Sequence, residues 1–213
     1  MPAVDSRVAI IGAGALGQQL AQHLRQQGKR VVGFFDDTLP VGAAAGGTVL
    51  GTTTAAAQAY ASGVFDELLL GVGYQHMGRR QQLFEQLQAA GLPFGRFVHA
   101  SAYVDSSVVL GPGVFISPGC VLDLNVRLDA NVLLYTGCIV AHDTHIGAHT
   151  LLAPSVRLAG RVQVGVRCFL GIGTTVIDSL KLGADVRTGG GTVVINNLPE
   201  PGTYVGVPAR RLR

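Results

Sequence analysis

The chain has 213 residues, room for one large domain or two small ones, and 30 of them are glycine while none is tryptophan. Many glycines beside 48% hydrophobic residues point to tight repetitive turns around small aliphatic side chains rather than a core of large aromatics. The formal charge of +3 is scattered apart from Arg210, Arg211 and Arg213, and no basic stripe interleaves with aromatics, which argues against nucleic-acid binding.

The N-terminal sequence MPAVDSRVAIIGAG lacks a basic leader, and its apolar stretch reads as a strand, not as a signal peptide. No apolar run reaches the roughly 18 to 20 residues that span a bilayer, so no membrane segment is expected. Three cysteines without metal-ligand spacing fit a reducing cytoplasm.

Val8 to Ile11 read as a buried strand, followed by Gly12-Ala13-Gly14-Ala15-Leu16-Gly17. A helical pattern comes next, with Leu20, His23 and Leu24 on one face, ending near Gly28. Val31 to Phe35 make a second strand, with Asp36 and Asp37 at its carboxyl end. This is G-x-G-x-x-G after a strand and before a helix, with acid about twenty residues on. The glycines let the backbone approach a phosphate at the positive helix terminus. The acids can accept hydrogen bonds from a ribose hydroxyl or a base N–H. A tight turn with no ligand is the plain alternative. Asp66 to Gly73 offer another strand and the sequence MGRRQQLFEQLQAAG another helix. The unit is too short for a full dinucleotide fold and ends near residues 92 to 98. The expected division is a Rossmann-like α/β domain over 1–97 and a second domain over 98–213.

From Val98 onward an aliphatic residue recurs every sixth position, through Val140, Ile146 and Leu152 to Val194, broken only by Thr188. A second series of small or β-branched residues follows each by four positions and includes Cys120, Cys138 and Cys168. A period sustained this long means a stacked parallel β-helix, three hexads to a coil, with residues 18 apart stacked. The cysteines are thereby core residues. Gly111, Gly147, Gly165 and Gly183 are expected to supply backbone freedom at corners.

Three of the six histidines fall in the sequence AHDTHIGAH. In the hexapeptide frame His142, His145 and His149 face different directions, so they are not convergent metal ligands and no metal is expected within one chain. His142 sits at a corner, and the residue 18 later is Gly160, which leaves space for a substrate atom over the imidazole. Asp143 can orient the ring. A base held in one tautomer suits proton abstraction from an amine or hydroxyl, while a solvated corner histidine is the alternative.

The two halves together resemble the nucleotide-sugar N-acetyltransferases of bacillosamine and perosamine synthesis, grouped with sialic acid O-acetyltransferase-type enzymes. The residues that carry the resemblance are AHDTHIG, LAGRVQVGVRCFLGIGTTV, GGGTVV and the terminal GVPARRLR. It implies a left-handed parallel β-helix, a homotrimer with sites between neighbouring prisms, acetyl-CoA as co-substrate and a nucleotide-linked sugar on the N-terminal domain. By the same resemblance His142 and Asp143 are the catalytic pair. Gly12, Gly14, Asp36, Asp37 and Gly73 match the nucleotide-sugar side, and Gly160, Arg161, Gly171, Ile172, Gly173, Gly190 and Pro208 match the CoA side. Three positions depart from the family pattern: Leu16 in the glycine-rich turn, Tyr135 for an asparagine, and Leu151 for a second histidine.

The leading expectation is acetyl transfer to a sugar amino group, with His142 as general base and backbone N–H groups near Gly160 steadying the oxyanion. O-acetylation of a sugar hydroxyl, a non-catalytic trimeric nucleotide-binding scaffold and a metal-dependent β-helical hydratase are the alternatives.

Overall fold

Strand β1 (Arg7–Ile11) forms because Val8 to Ile11 are apolar without interruption, and all four are fully buried, as a central parallel strand requires. The computed structural model describes residues 6–44 and 46–212. Arg213, counted in the basic C-terminus, and the first five residues of the N-terminal reading lie outside the described residues. The chain divides into two compact units, Met1–Phe97 and Val98–Arg213.

In the first unit, α1 (Ala15–Gln26) starts after Gly14 and buries Leu16, Leu20, Ala21 and Leu24. The expected face included His23, which is only half-buried; the stripe runs through Ala21 instead. β2 (Arg30–Phe35) follows, then β3 (Gly42–Ala44) and β4 (Gly47–Gly51) as an antiparallel pair, and α2 (Ala56–Ala61). β5 (Glu67–Leu70) and α3 (Met77–Ala89) complete the unit. The sheet order is β3-β4-β2-β1-β5, parallel except for β3. The chain leaves β1 for β2 on one side and returns to β5 on the other. That reversal opens a crevice at the carboxyl ends of these strands, the usual ligand site of such sheets. Helix and strands meet closely there, since a Cβ on Gly17 would fall 2.0 Å from the Gly12 carbonyl oxygen.

The second unit is a parallel β-helix of two- and three-residue strands on three faces, closed at its C-terminal end by the four-residue strand Gly202–Val205 and its antiparallel partner Arg210–Arg211. Register confirms the coil length, with Val121 opposite Ile139, Arg127 opposite His145 and Leu133 opposite Leu151. Leu122, Leu134, Val140, Ile146 and Leu152 point inward and are fully buried. The small inward series has a chemical logic as well as a size. Cys120 Sγ donates to the Tyr135 carbonyl at 3.2 Å, and Cys138 Sγ to that of Ala153 at 3.3 Å. Thr144 Oγ1 and Thr150 Oγ1 do the same to Ala159 and Gly165 at 3.0 and 2.9 Å. A small donor at this position satisfies a corner carbonyl of the next coil.

The corner glycines have a different reason from the expected one. Gly111, Gly147 and Gly165 are needed for closeness: a Cβ on each would lie 2.6–2.7 Å from backbone atoms of the next coil. The left-handed positions belong to other residues. Asn125, Asp143, Arg161 and Ser179 stack at the first corner with φ of 57–64°, and Asn131, His149, Arg167 and Asp185 at the second with φ of 58–61°.

Candidate active site

The crevice of the first unit gathers Gly12, Gly14, Asp36, Asp37 and Gly73 at the carboxyl ends of β1, β2 and β5. The two acids do different things. Asp36 Oδ2 accepts the Ala13 N–H at 2.8 Å, and Oδ1 accepts from the Thr38 N–H and hydroxyl and the Leu39 N–H. A carboxylate has about four acceptor sites, so Asp36 is used up internally, with one bond to the glycine-rich turn and three to the loop that follows β2. Burial pushes its carboxyl up, but these hydrogen bonds outweigh burial and hold it below the usual range. Asp37 accepts from Thr53 through backbone N–H and hydroxyl and pairs with Arg79 at 2.9 Å. Burial again raises its carboxyl and those donors bring it down. Arg80, buried in α3, donates to the carbonyls of Leu70 and Val72 and pins the Gly71–Gly73 segment.

In the second unit His142 stands at the corner following Ile139–Val140. Its Nδ1 lies 2.9 Å from Asp143 Oδ2. A carboxylate only accepts, so the neutral ring carries its proton on Nδ1 and its lone pair on Nε2. Asn125 Nδ2 donates to the other Asp143 oxygen at 3.0 Å. The bond from His142, then that from Asn125, holds the Asp143 carboxyl low. A Cβ on Gly160 would lie 2.5 Å from His142 Nε2. The space above the corner is therefore filled by the imidazole itself; it is not left over for a substrate atom, as the spacing had suggested.

The histidine set separates as the hexapeptide frame requires. His145 points out from the next face with Nε2 2.9 Å from Asp129, and His149 Nδ1 meets Asn131 Nδ2 at 3.0 Å. Among the described residues no group of three or more His, Cys, Asp or Glu side chains gathers to hold a metal. The residues matched to CoA fall in three places. Gly160 and Arg161 share the His142 corner. Gly171, Ile172, Gly173 and Gly190 form another corner, separated from the first by the strands Arg157–Leu158 and Thr175–Val176. Pro208 follows the strand Gly202–Val205. At the glycine corner Gly173 and Gly191 are left-handed, with φ of 67° and 68° and open space where a Cβ would stand.

Residues 7–87 match the PglD N-terminal domain family. A histidine-to-alanine mutant of GDP-perosamine N-acetyl transferase from Caulobacter crescentus, crystallised with CoA and GDP-perosamine, aligns with a TM-score of 0.90. Sequence identity is 33%, over 97% of this chain and 96% of that one. The chain belongs to this family of hexapeptide-repeat sugar acetyltransferases. The enzyme is thus an acyltransferase, with a left-handed β-helix behind an α/β domain. The acetyltransferase domain of PglB from Neisseria gonorrhoeae FA1090, in complex with acetyl coenzyme A, is similar at 27% identity and TM-score 0.89, covering 98% of this chain and 100% of that one. WeeI from Acinetobacter baumannii AYE, at 23% identity and TM-score 0.81 over 96% and 99%, shares the fold. No curated protein matches the enzyme.

Sequence reasoning missed Asn125, Arg79 and Thr53. Asn125 was within reach, because it lies 18 residues before Asp143 and one coil beneath it. Thr53 and Arg79 meet Asp37 only through the tertiary fold.

Proposed function

We propose that the enzyme transfers acetyl from acetyl-CoA to the amino group of a nucleotide-linked amino sugar. The observation that carries this reading is the His142–Asp143 pair, with Nδ1 held at 2.9 Å and Nε2 left as the basic atom. In this reading His142 Nε2 takes the amine proton as the nitrogen attacks the thioester carbonyl. The C–N bond forms, the C–S bond breaks, and the imidazolium returns the proton to the departing thiolate. Asp143 steadies the charge that passes through the ring. The backbone N–H of Gly160 faces the developing oxyanion.

The glycine corner fits an acyl carrier arm that bears amide groups. Gly173 leaves open space where a Cβ would stand, Gly190 lies beside the Ile172 side chain, and Ile172 is exposed for apolar contact, while Gly171 is packed against the next coil. Arg161 and Pro208 complete the CoA side. On the nucleotide side Gly12, Gly14 and Gly73 line the phosphate approach, Asp37 faces the nucleoside, and Asp36 keeps the turn in shape. The relative in complex with GDP-perosamine makes that compound the first acceptor to try.

The enzyme works as a homotrimer in this account. Tyr103, Val121 and Ile139 stack as an exposed apolar row over three coils of one face, and Ile177 and Ile195 form a second pair at its edge beyond Arg157, both suited to burial against further copies. Three free, buried thiols support a cytoplasmic setting. The test is thiol release from acetyl-CoA with GDP-, UDP- and dTDP-linked 4-amino sugars, followed by mass spectrometry of the product. A product stable to hydroxylamine is the expected amide. A labile product would mean O-acetylation, and no turnover with any acceptor would leave the scaffold alternative standing.

A further inference from the structure

Asp143 does not make the contact that its place in the β-helix offers it. Corner residues of successive coils that share the left-handed conformation project their side chains alike and meet their neighbours above and below. At the second corner Arg167 (φ 58°) lies beneath Asp185 (φ 60°), and the two form a bidentate ion pair at 2.8 and 2.7 Å. At the first corner the same stacking sets Asp143 (φ 57°) beneath Arg161 (φ 59°), which is the same pair inverted. The partners are sorted otherwise. Asp143 gives Oδ2 to His142 and Oδ1 to Asn125, which lies one coil below with φ of 58°. Arg161 points onward, with Nε 3.1 Å from Ser179 Oγ and its guanidinium 3.8 Å from Asp178.

We infer that Asn125 is a positioning residue: its amide keeps the Asp143 carboxylate on His142 and away from Arg161. An amide N–H is the right group for this task. It satisfies one oxygen without adding a charge that would compete for the proton on the ring, and asparagine tolerates the left-handed backbone that the position demands. Without it, Arg161 is the strongest donor within one coil of Asp143, and the Asp185 pair shows that the geometry closes. The other charged groups of the corner are Asp178, which holds Arg161, and Asp123 at the corner's first position one coil earlier. The inference rests on the reading of His142 as the base for its catalytic consequence, though not for its structural one.

The test reads the ring directly. Two-bond 1H–15N spectra of imidazoles, recorded on the full-length protein at alkaline pH without ligands, report which nitrogen carries the proton, and His142→Gln assigns the signal. Wild type is expected to show the Nδ1–H form. Asn125→Gly, which keeps the backbone unstrained, should lose much of it toward the Nε2–H form that free imidazole prefers. Asn125→Asp, which keeps size and conformation but cannot donate, should do the same. Adding Arg161→Asn to Asn125→Gly should restore the Nδ1–H form. Asn131→Gly, the same change at the second corner, should leave it alone. With acetyl-CoA and acceptor saturating, kcat of Asn125→Gly should fall about 3- to 10-fold, the worth of one such hydrogen bond. Persistence of the wild-type ring form in both Asn125 variants, or no recovery on removing Arg161, overturns the inference. Full turnover in His142→Gln beside the expected spectra would instead place the error in the base assignment.

Discussion

The imidazole of His142 occupies the volume of the side chain that Gly160 lacks. A Cβ there would fall 2.5 Å from Nε2 and 2.6 Å from Cε1. Gly160→Ala should therefore displace the ring without straining its own backbone. The His142 side chain is 43% exposed, so it can swing outward at little cost to the fold. The expected result is a kcat lower by about 10², in line with the cost of roughly 1 Å of misplacement, and a melting temperature close to wild type. Steady-state kinetics beside calorimetry checks both halves.

Asp36 and Asp37 should separate in their effects. Asp36→Ala frees the Ala13 N–H and loosens the glycine-rich turn, so KM for the acceptor should rise and stability fall by about 1 kcal/mol after allowance for solvent screening. Asp37→Ala should raise the acceptor KM with less loss of stability. KM for acetyl-CoA should stay put in both. Equal melting temperatures for the two variants would contradict the division of labour.

That stability difference has a pH signature. The folded Asp36 carboxyl lies below its ordinary value because its hydrogen bonds outweigh burial. Its contribution is fully present above the unfolded value, about 4, and is lost as pH falls through the lowered folded value. Denaturant titrations of wild type and Asp36→Ala should differ most at neutral pH and converge on acidification below about 4.

His145 and His149 should contribute little to turnover. His145 pairs with Asp129 on a face where both side chains are well exposed, and such pairs are worth little. His145→Ala and His149→Ala should each change kcat by no more than about threefold, consistent with surface substitutions of about 0.5 kcal/mol.

Light scattering should return a trimer. Ile139→Lys, in the exposed apolar row with Tyr103 and Val121, should shift the population toward monomer and lower activity together, while the β-helix, whose core lies on the other side of the strand, remains folded.

The repeat was legible because a six-residue period names the inward positions without any distance. The glycine-rich turn was legible because strand, turn and helix follow one another in sequence. Contacts were harder. Gly147 looked like a source of backbone freedom and is a matter of proximity, which composition does not reveal. Asp36 and Asp37 looked alike because adjacent acids share a spacing; only the folded turn shows that the first is used up internally. Residues 38–65 carried no predicted element, since Gly, Ala and Thr there follow neither a helical nor a strand period, yet β3, β4 and α2 lie within them. Asn125 needed two steps, the coil length and the left-handed corner, before its bond to Asp143 could be foreseen.

The most direct measurement is the turnover of His142→Ala with acetyl-CoA and GDP-perosamine, or whichever acceptor the wild type uses, at neutral pH and with its assembly verified. The account predicts a kcat lower by about 10² to 10⁴, the usual worth of a general base, with an unchanged melting temperature. Wild-type turnover would contradict it and would leave catalysis to substrate positioning, or to an amine that arrives already deprotonated.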